Sequence, residues 1–356
     1  MKKTLVALAA VSAVSAFAQV TITGNFDIGY ASIGGNVAQK GTTLLGTGGA
    51  STTSLNFTAI DDIGGGLKSK VYMELAPGAF MVDGGATISN NETFVSLAGG
   101  FGEIKLGEPN SNALTTFGAA SPLGTATGSG YTYTNSLVGH ATRYARSVKY
   151  ESPMMSGFQA TALYAPGADN PTTTAVYAGV PYQRTVMEAG LNYANGPLNI
   201  SFSNVGYGSQ VNAATIRPIS IANTPSNKIS LLSANYTFGN STLYVGYNKG
   251  ETMGSAASTA GLANVPDQVA GAETKGTRAA YKYVAGTYTI TGSYAKQSVE
   301  TTISSNVFTE RKVTGLQVKN DLSKRTAVYL AYENYDNGLT SLNKTTSTIL
   351  GIKQSF

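Results

Sequence analysis

The 356-residue chain contains no cysteine and no tryptophan, and its only histidine is His140. Without cysteine the chain forms no disulfide and offers no thiolate to a metal ion. A single histidine leaves little room for histidine-based catalysis or for a histidine-rich metal site. We therefore expect a protein that is not an enzyme and that carries no metal and no cofactor.

Charge is also scarce, because Asp, Glu, Lys and Arg together make up 12% of the residues, against about 25% in ordinary soluble domains. The formal net charge is +5 for the whole chain. The cations are dispersed and form no basic patch of the kind that binds nucleic acid. We expect no nucleic-acid partner.

Long apolar runs are missing after Gln19, so no segment there reaches the roughly 20 residues that a membrane helix needs. At the N-terminus, Met1-Lys2-Lys3 precedes a shorter apolar run over residues 4–17. The run ends in Ala16-Phe17-Ala18, an A-x-A cleavage pattern. Together these features predict a signal peptide over residues 1–18 and a single exported domain over residues 19–356.

What the exported part does contain is a series of short segments in which apolar and polar residues alternate, the period-two signature of strands. Most have eight to eleven residues, close to the roughly 9–11 that a tilted strand needs to cross a bilayer. The predicted strands are 20–30, 52–60, 67–76, 91–98, 103–108, 142–151, 157–164, 184–194, 198–207, 228–238, 241–249, 277–286, 287–297, 309–320, 326–335 and 346–356.

The connections between these sixteen strands alternate strictly between short turns and long loops. Outer-membrane barrels have short periplasmic turns and long external loops, whereas a soluble sandwich has no reason to sort them. The pattern predicts an all-β fold, a sixteen-stranded antiparallel transmembrane β-barrel. We expect the last strand to pair with Val20–Tyr30, with Leu350, Ile352 and Phe356 facing lipid and Lys353 facing the lumen.

Several segments resemble the general porins of Gram-negative bacteria, in particular the sixteen-stranded beta-proteobacterial type. The resemblance rests on ordered motifs that span the exported chain: TSLNFTAIDDIGGGLKS at 53–69, NNETFVSLAGGFGEIKLG at 90–107, RYARSVKYESP at 143–153 with Gly157-Phe158, LSKRT at 322–326, and the terminal Phe356. It implies an outer-membrane homotrimer, a third loop folded into the barrel, and passive diffusion of small hydrophilic solutes and ions. It also implies contact with outer-membrane lipids and lipopolysaccharide, and recognition of Phe356 by the barrel-insertion machinery.

Strand parity places charged side chains on the lumen face. The expected inward cations are Lys70, Arg143, Lys149, Arg184, Arg278, Lys282, Lys319 and Lys353, and the expected inward acids are Asp27, Glu74, Glu103, Glu188 and Glu333. Rings of charge set the preference of a pore, so this balance favours a weak preference for anions. The third loop, from Glu108 to about Ala141, is nearly uncharged, and Glu108 is its main candidate acid.

The chain departs from the resembling family where that family commonly has arginine, at Ser54, Thr58, Asn91 and Glu108. We therefore expect weak selectivity, centred on Arg143 and Lys149. The main alternative is a substrate-specific channel for a small anionic or sugar solute, for which the pair Tyr131 and Tyr133 is suggestive.

Three further hypotheses are less favoured: an outer-membrane enzyme, an adhesin or structural barrel, and a metal site in a turn. An outer-membrane enzyme would usually use a histidine as its base, and the single histidine, His140, has no Ser/Asp pattern near it. An adhesin or structural barrel is supported only by loops rich in Gly, Thr, Ser and Ala. The carboxylates of Asp61-Asp62 are fewer than the six or more oxygens that a hard cation prefers.

Overall fold

The computed structural model describes residues 19–37, 40–82, 88–131, 142–166, 176–177, 180–181, 185–208, 227–251, 273–300, 310–336, 338 and 344–356. The expected signal peptide over residues 1–18 lies outside these ranges, as do Tyr133, His140 and Arg184.

Nineteen strands and two short helices occur in the described part of the chain. The strands are β1 (Gln19–Asn36), β2 (Gly41–Leu45), β3 (Ser54–Gly64), β4 (Leu67–Ala76), β5 (Ser89–Gly99), β6 (Gly102–Glu108), β7 (Ser147–Glu151), β8 (Phe158–Ala165), β9 (Val176–Tyr177), β10 (Val180–Pro181), β11 (Val186–Asn195), β12 (Leu198–Tyr207), β13 (Asn227–Phe238), β14 (Ser241–Glu251), β15 (Glu273–Ala285), β16 (Tyr288–Glu300), β17 (Glu310–Asp321), β18 (Thr326–Asp336) and β19 (Lys344–Ser355). The helices are α1 (Gly78–Val82) and α2 (Asn112–Ala119). Among the described helices, neither is long and apolar enough to cross a membrane.

Sixteen of these described strands form one closed antiparallel barrel, which confirms the predicted fold. The other three are β2, which pairs with the second half of β1, and the separate two-stranded β9–β10 sheet. Because the barrel is closed, it has no unpaired edge strand that could pair with another chain. The predicted sorting of connections is also confirmed, because tight turns at one end join strand pairs such as β13–β14 and β15–β16. Gly239 (φ 54°) and Gly286 (φ 59°) supply the left-handed conformation that these two turns require.

The barrel closes between β1 and β19, but not in the predicted register. β19 pairs with Asn25–Asn36, from Asn25↔Ser355 to Asn36↔Lys344. The first residues of β1, Gln19–Asn25, pair with β3 instead. β1 is longer than predicted because its polar continuation beyond Tyr30 still pairs on both sides, with β19 and β2. The expectation of antiparallel pairing is confirmed, and the expected partner range of Val20–Tyr30 is corrected.

The two faces of the barrel are the inverse of a soluble fold. Large apolar side chains lie on the outside, such as Leu191 (45% exposed), Val245 (46%) and Leu316 (49%). Small polar groups such as Ser203 and Gln297 are fully buried inside. An apolar belt around a polar interior is the arrangement that a lipid bilayer requires.

The predicted strand over residues 142–151 is wrong in its first half. β7 begins only at Ser147, because Arg146 adopts a left-handed conformation (φ 57°) that ends the strand pairing. Arg143 instead forms an isolated antiparallel bridge with Asn110. Strand parity therefore does not reach Arg143, and its position depends on this bridge.

Candidate functional site

The described part of the third loop, residues 109–131 and 142–146 between β6 and β7, folds into the barrel, as expected. Its helix α2 begins against β11, where the backbone N–H of Asn112 donates to Oε2 of Glu188 at 2.5 Å. The next contact lies on β12, where the hydroxyls of Thr116 and Ser201 are 2.9 Å apart. Both groups on the wall are polar and buried, so the loop covers them rather than leaving them in the lumen.

Beyond α2 the loop continues along the same wall. Nδ2 of Asn235 on β13 donates to the carbonyl of Ala119 at 2.8 Å. On β15, the guanidinium of Arg278 lies 3.8 Å from the centre of the Phe117 ring. Cation–π contacts of this kind hold a charged group against an aromatic face. Arg278 is therefore covered by the third loop.

The end of the described part of the loop reaches β16 and β18. The backbone N–H of Gly128 donates to Oε2 of Glu333 at 2.6 Å, and Ser293 donates to the carbonyl of Gly128. The third loop thus lies along β11–β18, and the opposite wall, β3–β7, faces the remaining lumen.

Local sequence explains the shape of the loop. Ser111 caps α2 from an extended conformation (φ −66°, ψ 156°), and its Oγ accepts a hydrogen bond from the N–H of Leu114 at 3.0 Å. Gly124 (φ 55°) and Gly128 (φ 88°) then allow the tight turns that follow. Tyr131 packs edge-on against Phe117 with ring centres 5.0 Å apart, and burial raises the pKa of its hydroxyl to about 12.

A ladder of alternating charges lies on the facing wall; we call these five residues, Lys70, Glu103, Lys105, Lys149 and Glu151, the charged ladder. Nζ of Lys70 is 2.7 Å from Glu103, and Nζ of Lys105 is 2.8 Å from Glu151. Lys149 pairs with Glu151 at 3.0 Å. The ladder contains three cations and two anions, which leaves one net positive charge facing a loop segment without charge.

Lys70 and Lys105 also both lie over the ring of Phe94, each with its Nζ 5.2 Å from the ring centre. Tyr72 packs beside that ring, with centres 5.5 Å apart. Cation–π contact with this one ring therefore holds the ammonium groups of Lys70 and Lys105 in place on the wall.

Arg143 lies at the root of the third loop and is surrounded by amides that connect it to carboxylates. Its guanidinium donates to Oδ1 of Asn91 at 2.9 Å and to Oδ1 of Asn110 at 3.3 Å. Asn91 in turn donates to Glu74 at 3.0 Å, and Asn110 donates to Glu92 at 2.8 Å. We call Glu74, Glu92, Glu108 and Arg143 the root cluster.

Glu108 completes the root cluster, since Nδ2 of Asn90 donates to its Oε2 at 3.3 Å. The cluster holds three acids and one cation. The expected positive centre of Arg143 and Lys149 is brought together by Asn110, whose carbonyl accepts from Nζ of Lys149 at 2.9 Å. Both cations therefore have carboxylates nearby, Arg143 through the amides and Lys149 directly through Glu151.

The remaining predicted site residues lie apart from this wall. Asp27 is fully buried under the segment between β2 and β3. Lys282 lies over the ring of Tyr244, 5.7 Å from its centre, and Lys319 pairs with Asp321 at 2.8 Å. Lys353 stands opposite Asp27 in the β1–β19 register. Arg184 lies outside the described residues.

Three members of the charged ladder and the root cluster were not among the sequence candidates: Glu92, Lys105 and Glu151. Lys105 and Glu151 could have been found by parity, because Leu106 and Tyr150 point outward beside them. Parity also reaches Glu92, since it lies two residues before Phe94, whose ring contacts Lys70 and Lys105 inside the barrel. In the part of the chain that the structure describes, no group of three or more His, Cys, Asp or Glu residues could hold a metal ion.

Comparisons with known proteins agree with this architecture. A family model described as Gram-negative porin matches residues 4–339. The chain is 34% identical over 212 residues to outer membrane porin protein 32 of Delftia acidovorans, covering 56% of this chain and 58% of that protein. It is 32% identical over 207 residues to the major outer membrane protein P.IB of Neisseria meningitidis serogroup B, covering 57% and 58%. The chain thus matches less than two thirds of the length of these relatives.

Solved structures give the same fold at lower identity. An anion-selective porin from Comamonas acidovorans superposes with a TM-score of 0.72 at 20% identity, covering 95% of this chain and 100% of that one. The trimer form of OmpT from Vibrio cholerae gives a TM-score of 0.66 at 14% identity, covering 96% and 100%. At these identities the likeness concerns the fold alone.

Proposed function

The chain belongs to the Gram-negative porin family, and we propose that it forms a water-filled channel in the outer membrane through which small hydrophilic solutes and ions diffuse passively. The observation that carries this proposal is the closed barrel with a polar interior, in which the third loop covers one wall and leaves a charged wall facing the lumen. Passive diffusion leaves the covalent bonds of the solute unchanged, so we propose that the protein is not an enzyme.

Planar bilayer recording tests this function. We expect stepwise ohmic conductance from the purified protein, with no saturation or block by candidate sugars and organic anions at low concentration. Block at low concentration would favour the substrate-specific channel instead, and protein that is folded but gives no conductance would contradict both.

We propose weak selectivity with a slight preference for anions. The charged ladder supports this preference, with its one net positive charge, and the root cluster opposes it, with three acids around Arg143. Because charges separated by more than about 8 Å are screened at physiological salt, each cluster acts mainly on ions that pass close to it. The two clusters offset each other, so neither sign of ion is strongly excluded.

Replacing Arg143 with alanine should shift the channel toward cations. The substitution removes the only cation of the root cluster and leaves Glu74, Glu92 and Glu108 without it. We expect the ratio of cation to anion permeability to rise about twofold or more, since rings of charge set selectivity. Reversal potentials in a salt gradient measure it, with Arg325→Ala in an exposed turn as control. An unchanged reversal potential in Arg143→Ala would count against the assigned role of Arg143.

We also propose that residues 1–18 are a cleaved signal peptide and that the barrel assembles as a homotrimer. The apolar run and A-x-A pattern support the first, and the existence of a trimer form of the OmpT fold supports the second. Mass spectrometry of the mature N-terminus, starting at Gln19, and native mass spectrometry in detergent test them. A retained leader or a monomer would contradict the respective proposal.

Lipid contact is proposed for the outer rim of β13–β17. Each of these strands carries a lysine near its loop end, on the face that points away from the lumen: Lys228, Lys249, Lys275, Lys296 and Lys312. Lys249 stands directly opposite Lys275, and Lys296 opposite Lys312. Facing like charges are unfavourable unless an anion lies between them. Glu310 bridges Lys296 and Lys312, and phosphates of lipopolysaccharide would supply further anions.

The triple variant Lys249→Gln/Lys296→Gln/Lys312→Gln should therefore retain less lipopolysaccharide. Each lysine contributes about 1 kcal/mol to binding at an anionic lipid surface, so we expect at least a tenfold weaker association. The measurement is the amount of phosphorylated glycolipid that copurifies with barrel extracted from the outer membrane without denaturation. Lys68→Gln/Lys324→Gln, at the turn end, is the control, and equal retention by both variants would contradict the proposal.

A further inference from the structure

A second segment folds into the barrel besides the third loop. Residues 46–53, between β2 and β3, turn inward and lie against the inward faces of β1 and β18; we call this segment the inner arm. The arm closes on itself through a bond from the N–H of Gly48 to the carbonyl of Ser51 at 2.8 Å. Asn25 on β1 donates to the carbonyl of Thr52 at 2.7 Å.

The inner arm is held by one fully buried carboxylate, that of Asp27 on β1. Its Oδ2 accepts the N–H of Ala50 at 2.8 Å and the N–H of Ser51 at 2.9 Å. Its Oδ1 accepts the hydroxyl of Tyr329 on β18 at 2.5 Å. Hydrogen bonds to a buried ionised group are among the strongest that proteins form. Asp27 therefore fixes both the arm and the wall residue behind it.

The fit around Tyr329 is too close for a larger residue in the arm. A side chain at Gly49 would overlap the Tyr329 hydroxyl, and a side chain at Gly351 on β19 would overlap its ring. Thr53, also fully buried, accepts the N–H of Asp27 at 2.9 Å and donates to the carbonyl of Gly46 at 2.6 Å. The arm is thus a packed structure on the wall with one defined position.

The inner arm touches the third loop at the point where the loop completes its course along the wall. The carbonyl of Gly48 accepts both the N–H and the hydroxyl of Thr127, at 2.8 Å and 2.9 Å. The hydroxyls of Thr52 and Thr125 are 3.5 Å apart. The next residue of the loop, Gly128, is bonded to Glu333 on β18. The loop end is therefore fixed between the barrel wall and the arm.

We propose that Asp27 is a positioning residue of the channel, which holds the inner arm in place and through it fixes the end of the third loop, so that it sets the width of the lumen. This inference rests on the proposed channel function. Asp27 touches no permeating solute, because it is completely covered. Its influence on conductance is transmitted by the contacts of Gly48 and Thr52 with the third loop.

The absence of cysteine from the chain provides a test that does not depend on conduction. In the variant Thr52→Cys/Thr125→Cys, the two thiols replace hydroxyls that are 3.5 Å apart, so mild oxidation should join them rapidly. Asp27→Asn keeps the size of the side chain but places an N–H₂ group where the carboxylate now accepts three donors. We expect disulfide formation to slow at least fivefold when Asp27→Asn is added to the cysteine pair, because a mobile arm brings the thiols together less often.

Single-channel recording of Asp27→Asn in the cysteine-free chain gives the second readout. We expect conductance to rise about 1.5-fold, with added current noise, and larger neutral polymers to enter. Tyr329→Phe removes one of the three donors and should give a smaller change of the same kind, so the proposal stays testable if Asp27→Asn folds poorly. Asp62→Asn is the matched control, since Asp62 is an exposed residue at the turn end of β3, and its carboxylate accepts the N–H of Gly64 at 3.0 Å, away from the inner arm.

Slower disulfide formation together with higher conductance supports the proposal. Unchanged disulfide formation in Asp27→Asn and Tyr329→Phe overturns it, and so does slower disulfide formation with unchanged conductance. If the unsubstituted protein conducts no ions at all, the proposed channel function fails, and the rate of disulfide formation still reports whether Asp27 positions the arm.

Discussion

Replacing Phe356 with alanine is expected to reduce the ratio of folded to unfolded barrel about tenfold. Phe356 lies at the closing seam, where its N–H and carbonyl exchange hydrogen bonds with Gly24 at 3.1 Å. Its ring stacks on Phe26 at 5.9 Å between centres and covers Gly24. Removing a buried phenylalanine ring costs about 3–5 kcal/mol, and this ring is half exposed, so a loss of about 1.5–2 kcal/mol is reasonable. That corresponds to a factor of about ten or more in the ratio of folded to unfolded protein.

Two possible causes of a folding defect in Phe356→Ala can be separated. One is the loss of packing at the seam, and the other is the loss of recognition of the terminal aromatic by the barrel-insertion machinery. The measurement is folding into lipid vesicles without any other protein, followed by the heat-dependent shift in gel mobility, and it is repeated in cells. Phe26→Ala is the matched variant, because it removes the stacking partner and leaves Phe356 intact. A packing role predicts equal defects for both variants in vesicles. A recognition role adds a defect in cells for Phe356→Ala alone, and normal folding of both variants in vesicles contradicts the packing argument.

The barrel itself could be predicted from the sequence because its determinants are local. The outward residues of β14, Leu243, Val245 and Tyr247, alternate with small or polar inward ones, and tight turns such as Gly239-Asn240 separate neighbouring strands. Each of the sixteen barrel strands pairs with the next barrel strand along the chain, so the order of the sheet follows from the order of the chain. The closing contact is the one long-range pairing, and its register was the part that the sequence did not determine.

The site was less predictable, because parity tells which face a side chain occupies and not what covers it. Asp27, Glu188 and Arg278 each lie beneath a folded segment. These covering contacts join residues far apart in the chain, 76 positions for Asn112 and Glu188, and no local pattern encodes them. Lys70 and Glu74 lie on a wall that no described loop segment covers, and their role as pore-lining residues stays a prediction.

The double variant Glu188→Gln/Glu333→Gln should give the largest change in the pore itself. These two carboxylates hold opposite ends of the described third loop, through Asn112 N–H at 2.5 Å and Gly128 N–H at 2.6 Å. Both are almost fully buried, at 3% and 8% exposed. A hydrogen bond to a charged group contributes about 1.5–3 kcal/mol, so the two together hold the loop by a few kcal/mol. Glu188 also faces the start of α2, where a negative charge is favoured by the helix dipole.

Glutamine keeps the shape of both side chains and removes the charge, so the barrel should still close while the loop leaves the wall part of the time. We expect frequent switching between conductance levels in single-channel records, with the mean conductance changed about twofold. Glu310→Gln, which removes an exposed acid on the outer rim, is the control and should conduct like the unsubstituted protein. Steady conductance at the original level in the double variant would show that the hydroxyl contact of Thr116 with Ser201 and the packing of Arg278 on Phe117 suffice to hold the loop. In that case the uncharged contacts, and not the two buried acids, would determine the position of the loop.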